Sequence, residues 1–109
     1  MIRRQRVNSK SLRALTQKIV GAIAPEQVIL FGSHAYGKPT ADSDVDLLII
    51  WNTRKDYASR YRVISELLRP RPFPLDIIVK TPREIAMARK RIDPFLNEAL
   101  NKGKTLYAR

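Results

Sequence analysis

Three aspartates are the residues of this sequence best suited to hold a metal ion. Asp44 and Asp46 are two positions apart in the run SDVDLLII, and Asp76 lies in PLDIIVK. Side chains two apart on a strand point to the same face, and like charges held side by side are unfavourable unless something neutralises them. Carboxylate oxygens are ligands that Mg²⁺ prefers, and the ion keeps positions free for substrate phosphates. If the three side chains meet, they predict a site for one or two Mg²⁺ ions and a phosphate-bearing substrate.

A Gly-Ser pair directly after an apolar run suggests where that phosphate would lie. Gly32 carries no side chain, so backbone can approach a ligand there, and Ser33 offers a hydroxyl and an N–H to a phosphate oxygen. Taken alone, the pair is typical of an ordinary turn at a strand end. His34, the only histidine, follows it. His34 could contact a nucleotide or act in proton transfer, although a histidine in such a position is more often a solvated loop residue.

Two other motifs in this stretch are incomplete. Residues 32–38 spell G-x-x-x-x-G-K, but Pro39 stands where a P-loop needs Ser or Thr, and a strand rather than a helix follows. Residues 42–46 begin like a calcium loop, but Leu47 and Thr53 stand where that loop has Gly and Glu. The sequence therefore predicts neither a P-loop nor a calcium-binding loop.

Apolar runs and turn residues predict the elements that position these groups. The order is α-β-(turn)-β-α-β-α-α-β. The predicted bounds are a helix from Asn8 or Ser9 to about Ala22, strand Gln27 to Phe31, a helical turn around His34 to Tyr36, strand Asp44 to Trp51, helix Asp56 to Arg69 with Tyr57 and Tyr61 on its inner side, strand Phe73 to Lys80, a helix capped by Thr81 that runs to about Ile92, helix 95–102, and a short strand from Lys104 to Tyr107.

Connectivity predicts that the candidate residues converge. The first two strands are joined by the loop 32–43 and can pair antiparallel, whereas the helix before the third strand favours a parallel, right-handed crossover. The end of the first strand and the starts of the other two then share one sheet edge. We therefore expect Gly32, Ser33, Asp44, Asp46 and Asp76 to lie together in an α/β (α+β) fold with a small mixed sheet flanked by helices.

Length and composition restrict the class of protein. With 109 residues, the chain forms one domain, which we place at 9–109 after a flexible basic arm at 1–8. There are no cysteines, which excludes disulfides and Cys-ligated zinc. No apolar run approaches the roughly 18–20 residues that span a membrane, and the basic N-terminus lacks a signal-peptide core. These features predict a cytoplasmic protein without a membrane partner.

The net charge of +11 favours a polyanionic partner, which could be a nucleic acid, an acidic protein or a small molecule. The alternative is a basic surface without a partner. Trp51, Tyr57 and Tyr61 could stack on bases, although aromatic residues at such spacing more often pack inside the fold. Three of the ten acidic residues fall within 42–46, so we expect a cation to offset them.

The candidate motif resembles that of the nucleotidyltransferase superfamily, which includes the DNA polymerase beta-like enzymes. The family pattern is G-S, about ten residues, D-x-D, and a third aspartate on a later strand, as at Gly32-Ser33, Asp44-Val45-Asp46 and Asp76. Within the superfamily, FGSHAYG…SDVDLLI is similar to the FGSRARG…SDIDLLV of the minimal nucleotidyltransferases (MNT). The resemblance covers most of residues 10–107 and implies a polymerase beta-like core.

This resemblance also implies a reaction and its cofactors. Such domains transfer a nucleoside monophosphate, commonly AMP from ATP, to an acceptor hydroxyl. Asp44 and Asp46 would hold Mg²⁺ and the triphosphate, and Asp76 would complete the metal site and help the hydroxyl lose its proton. Gly32 and Ser33 would hold the β- and γ-phosphates.

The resemblance further implies a protein partner. MNT proteins are often encoded beside a HEPN ribonuclease toxin and act as its antitoxin by binding it, adenylylating it, or both, so we expect a hetero-oligomer. Family members often carry arginines at the positions of His34 and Tyr36, which puts nucleotide affinity in question. Two alternatives stay open: an antitoxin that neutralises by complex formation without catalysis, and a basic nucleic-acid-binding module, which the acidic cluster disfavours.

Overall fold

A computed structural model describes residues 5–40, 42–91 and 93–109, which form a sheet with helices packed on both faces. The four strands lie in the order β3-β2-β1-β4. The elements are α1 (Ser9–Ile23), β1 (Gln27–Phe31), α2 (Ser33–Tyr36), β2 (Val45–Ile50), α3 (Tyr57–Leu67), β3 (Leu75–Lys80), α4 (Pro82–Lys90), α5 (Pro94–Lys102) and β4 (Lys104–Ala108).

The strand pairings confirm the predicted topology. β1 pairs antiparallel with β2, and β2 pairs parallel with β3 through the α3 crossover. β4 returns antiparallel to the other side of β1 and forms one edge of the sheet. The pairing of β2 with both β1 and β3 puts it at the centre of the three strands that carry the candidate residues.

Alternate residues of β2 face two separate hydrophobic layers. Val45, Leu47 and Ile49 pack with α1 and α3 on one face, whereas Leu48 and Ile50 pack with α4 and α5 on the other. Because both faces are covered, the strand reads as a nearly continuous apolar run. Burial of each such side chain contributes roughly 1.5–3 kcal/mol, so the sheet is a firm base for groups at its edge.

Side-chain caps fix the ends of α1 and α4. Asn8 Oδ1 accepts a hydrogen bond of 2.8 Å from the N–H of Ser11, so Asn8 is the cap of α1. The predicted capping box of α4 is also present, with the carboxylate of Glu84 accepting from the N–H of Thr81 at 2.8 Å. At the other end of α1, Ala24 adopts a left-handed conformation with φ of 46°, which is unfavourable for a residue with a Cβ.

Several predicted boundaries shift by one or two residues. β2 begins at Val45, so Asp44 precedes the strand, and β3 begins at Leu75 rather than Phe73. The reason lies before β3, where Pro74 has no N–H to donate and instead accepts a hydrogen bond from Val45 N–H at 2.9 Å. Asp56 is the cap of α3 rather than its first residue.

The predicted inner side of α3 is wrong for two residues. Tyr57 and Tyr61 are 44% and 38% exposed, and the ammonium of Lys80 lies 5.5 Å from the ring centroid of Tyr57. The buried face of α3 instead includes Arg60, whose guanidinium pairs with the carboxylate of Glu84 at 2.7 Å. A hydropathy pattern assigns buried helix positions to apolar residues. It therefore misses Arg60, which is buried because its guanidinium reaches an ion-pair partner.

Two predictions, the flexible basic arm and the end of α4, fall partly on residues that the structure does not describe. Residues 1–4 and Ile92 lie outside the described residues, and α4 ends at Lys90. The N–H of Gln5 donates to the carbonyl of Pro72 at 2.7 Å, so this part of the arm contacts the loop before β3. The flexibility of the arm stays a prediction. Among the described residues, no helix is long and apolar enough to cross a membrane.

Candidate functional site

Two of the three aspartates lie side by side at the end of the sheet where β2 and β3 begin, which we call the acidic edge. Asp46 pairs in register with Asp76 across the parallel strands and with Phe31 across the antiparallel strands. Neighbouring strands are about 4.8 Å apart, and residues in register point to the same side. Asp46 and Asp76 therefore present adjacent carboxylates on the face that α4 and α5 cover further along the strands. For Asp46 and Asp76, this is the convergence expected from connectivity.

Asp44 adds a third negative charge to this group. It directly precedes β2 and is exposed, as is Asp76, whereas Asp46 is half-buried. Partial burial raises the pKa of Asp46, and the charges of Asp76 and then Asp44 raise it further, while His34 acts in the opposite direction. The carboxylates thus repel one another at neutral pH, and a bound cation would relieve that repulsion.

Gly32 is packed against this acidic group. Its φ of 74° is in the range that favours glycine. A Cβ at this position would also overlap the Oδ2 atom of Asp46. Both the conformation and the contact therefore require glycine, and the chain can turn from β1 into α2 directly beside the carboxylate. Ser33, the first residue of α2, is brought to the same edge by this turn.

His34 has a structural contact that the sequence did not indicate. Its Nε2 atom lies 3.2 Å from the carbonyl oxygen of Ser43 and donates a hydrogen bond to it. Since Ser43 precedes Asp44, the imidazole links α2 to the entrance of β2. This contact assigns His34 a positioning role in the free protein, and its predicted contact with nucleotide stays a prediction.

The arrangement of the carboxylates decides which kind of metal site they can form. Within 5–40, 42–91 and 93–109, no three His, Cys, Asp or Glu side chains are arranged to hold one ion. Mg²⁺ is commonly bound by one or two carboxylates, with substrate phosphates and water completing its shell. The adjacent carboxylates of Asp46 and Asp76 fit that kind of site, in which the metal arrives with a phosphate-bearing ligand, and do not form a complete protein cage.

An exposed aromatic ring that the sequence did not indicate packs on Phe31, the strand partner of Asp46. The ring of Phe95, near the start of α5, meets that of Phe31 edge to face, with centroids 5.4 Å apart and an interplanar angle of 89°. Phe95 is half exposed, at 50%. Because Phe31 is the strand partner of Asp46, Phe95 forms an apolar wall near the acidic edge. No local pattern could indicate this, because the ring reaches the site only through the packing of α5 on the sheet.

Comparison with known proteins identifies several relatives. Residues 14–109 match the sequence profile described as polymerase beta, nucleotidyltransferase. A protein of Methanocaldococcus jannaschii named "Putative protein adenylyltransferase" is 32% identical over 97 residues, which are 88% of this chain and 90% of that protein. The matched region includes all the candidate residues.

Solved structures show the same fold. A structure from Sulfolobus solfataricus, described as a "putative nucleotidyltransferase", has a TM-score of 0.60 at 21% identity, covering 92% of this chain and 83% of the other. A structure described as a toxin–antitoxin with AMP-PNP has a TM-score of 0.61 at 18% identity, covering 89% and 73%. At these identities the likeness establishes the arrangement of helices and strands.

Proposed function

The chain belongs to the polymerase beta-type nucleotidyltransferase family, and from this premise we propose that it transfers AMP from ATP to a hydroxyl of a partner protein, a HEPN-type toxin that it thereby neutralises as an antitoxin. The observation that carries the proposal is the register of Asp46 with Asp76, beside a glycine that the Asp46 carboxylate itself requires. A family member that places carboxylates in this way has the groups needed for metal-dependent transfer.

The proposed reaction is a displacement at the α-phosphorus of ATP. The acceptor oxygen forms a bond to that phosphorus, the bond to the β-phosphate oxygen breaks, and pyrophosphate leaves with the electron pair. Mg²⁺ held by Asp46 and Asp76 together with the triphosphate would neutralise the charge on the triphosphate and on the leaving group, and Asp44 would add its negative charge beside them. Asp76, which is exposed, is our candidate to accept the proton of the attacking hydroxyl.

The residues around the carboxylates would position the nucleotide. Gly32 and Ser33 would approach the β- and γ-phosphates through backbone N–H groups and the serine hydroxyl. His34 would hold α2 against the entrance of β2 through its bond to Ser43, with its remaining edge available to the nucleotide. Phe95 offers an apolar surface at the edge of the same site. Rate enhancement would then come mainly from positioning and electrostatic stabilisation.

The nature of the acceptor and of the nucleotide is supported by the relatives. The M. jannaschii protein is named an adenylyltransferase that acts on protein. The toxin–antitoxin structure contains AMP-PNP, an ATP analogue. These names support AMP as the transferred group, a protein as the acceptor and a toxin as the partner.

The decisive experiment uses ATP labelled at the α-phosphate, Mg²⁺ and the purified product of the neighbouring gene. We expect label on that protein with the wild-type chain, and none with the Asp44→Asn/Asp46→Asn double variant or after chelation of the metal. Asp42→Asn is the matched control, because it removes an exposed carboxylate from the same loop. The charge of Asp42 is not among the causes that shift the pKa of Asp46.

Two outcomes would contradict the catalytic proposal. If the double variant still transfers label, the carboxylates are not the metal ligands. If no label is transferred but both chains bind and inhibit the toxin, the protein neutralises by complex formation. High-affinity nucleic-acid binding with a steep dependence on salt would instead favour the basic nucleic-acid-binding module.

A further inference from the structure

An open groove lies between α1 and the edge strand β4, with a volume of about 620 Å³. The apolar side chains of Leu12, Val20 and Leu106 contribute to its lining. Four consecutive residues of β4, 104–107, also line it. Consecutive strand residues point to opposite faces except at the register shift around Leu106, so a cavity that touches all four runs along the edge of the strand rather than over one face.

The edge of β4 provides unpaired backbone groups. The sheet order ends at β4, and within the described ranges no strand pairs with its outer side. Such an edge offers a row of N–H and C=O groups to which an extended chain can add as a further strand. The shape of the groove and the chemistry of its wall therefore suit an extended segment.

Gly21 leaves open space in the wall of this groove. Glycine within a helix is unfavourable by roughly 0.5–1 kcal/mol relative to alanine. The fold does not require glycine at position 21, because its φ is not positive and a Cβ there would meet no atom of the residues described here within 4 Å. At each of the other three glycines, Gly32, Gly37 and Gly103, a Cβ would meet atoms of the chain itself. The open space over Gly21 thus suits the close approach of another backbone.

Charge distinguishes between the occupants that could fit. The groove is lined by Arg13 and Lys104 and, as far as the described residues go, by no aspartate or glutamate. A second copy of this chain would bring a net charge of +11 against +11. An acidic segment would be attracted to the same surface. The lining therefore favours an acidic partner over self-association.

We propose that an extended acidic segment of a partner protein binds in this groove, pairs with the outer edge of β4 and passes close to α1 at Gly21. The groove would be the docking surface for the partner of the proposed function, and the identity of that partner rests on that function.

Docking here would also bring the partner near the carboxylates. Lys104 pairs with Leu30, and the next residue of β1, Phe31, pairs with Asp46, so one end of the groove lies at the acidic end of the sheet. A strand added outside β4 would lie three strand spacings, or about 15 Å, from β2. The groove would therefore hold the acceptor protein close to the site without blocking it.

The test uses a hexapeptide of alternating glutamate and valine as the probe and an alternating lysine and valine hexapeptide as its control. We expect the acidic peptide alone to shift the amide NMR signals of α1 and β4. Gly21→Leu places a large side chain in the groove and should lower the affinity for the acidic peptide by about tenfold or more. Ala22→Leu is the matched control, because position 22 is exposed on the same helix and does not line the groove.

Gly21→Ala separates binding from folding. This substitution should raise or maintain the unfolding temperature, because alanine favours the helix. It should nevertheless lower the affinity for the acidic peptide several-fold. The inference is overturned if the acidic peptide causes no shift at millimolar concentration, if both peptides bind equally, or if Gly21→Leu binds as the wild type does. Concentration-dependent shifts of β4 without peptide would identify a second copy as the occupant and equally overturn it.

The labelling assay then connects the groove to transfer. Gly21→Leu should reduce label on the partner about tenfold while leaving the binding of AMP-PNP unchanged. A wild-type chain that transfers no label would refute the proposed function, whereas the peptide experiment would still decide whether the groove is a docking site.

Discussion

Replacement of Asp46 by asparagine should make the free protein more stable and the ligand-bound protein less stable. The amide has nearly the shape of the carboxylate but lacks its charge. In the free chain, Asp46 faces Asp76 across the parallel strands and Asp44 two residues earlier. The substitution therefore removes repulsion without creating a cavity.

The size of the gain follows from the two like-charge neighbours. An unfavourable pair on a sheet surface costs about 0.2–1 kcal/mol, so relief of both should stabilise the free protein by roughly 0.5–1.5 kcal/mol. For a domain of this size, the unfolding temperature would rise by about 2–7 °C. Partial burial also disfavours the charged form of Asp46, so removal of the charge adds to the gain in stability.

The gain should depend on pH. Burial and the charges of Asp76 and Asp44 raise the pKa of Asp46 above its ordinary value of 3.8, so the folded chain binds this proton more tightly than the unfolded chain. Wild-type stability therefore falls as pH rises from 3.8 through the raised pKa, and the penalty is fully present above it. The advantage of Asp46→Asn should be largest at pH 7 and disappear at pH values well below 3.8.

The assay is thermal unfolding of the wild type, Asp46→Asn and the control Asp42→Asn, with and without Mg²⁺ and AMP-PNP. A ligand at a hundred times its Kd stabilises the protein that binds it by about 2.7 kcal/mol, so the order of stability should reverse when ligand is added. If Asp46→Asn is less stable than the wild type without ligand at pH 7, the repulsion argument is refuted. If it gains as much from ligand as the wild type, Asp46 is not a ligand-binding residue.

Three further substitutions test other parts of the structure. Gly32→Ala should destabilise the chain by roughly 2–3 kcal/mol in thermal unfolding, because a Cβ would overlap the carboxylate of Asp46 and the positive φ disfavours it; unchanged stability would disprove this. Burial alone would raise the pKa of Glu84, but hydrogen bonds at the start of α4 and the Arg60 guanidinium outweigh it and lower the pKa. Glu84→Gln should therefore cost about 1–2 kcal/mol in urea unfolding at pH 7, a difference that is lost as pH falls below 4.5 through the lowered pKa; an equal difference at pH 7 and pH 3 would contradict the ionic contribution. Ala24→Gly should stabilise the chain by about 0.5–1 kcal/mol, because glycine adopts the left-handed conformation at the end of α1 without strain; a lower unfolding temperature would show that the strain at Ala24 is negligible.

Most of the fold and the core of the candidate site were predictable from the sequence. Apolar runs located the four strands, and the helix between Ile50 and Leu75 favoured a parallel pair, which puts Asp46 beside Asp76. The boundaries were less accurate, since the start of β2 depends on a hydrogen bond from Val45 to Pro74 in another part of the chain.

The sequence by itself determined the strands, their directions and the edge at which the aspartates gather, because strand periodicity and crossover handedness are rules of local chain geometry. Only the tertiary structure showed that Gly32 must lack a side chain to accommodate Asp46, that His34 binds the carbonyl of Ser43 and that Phe95 borders the acidic edge. The tertiary structure also showed the groove beside Gly21. These features join elements distant in sequence, and their geometry depends on how each helix packs on the sheet, which no local pattern specifies.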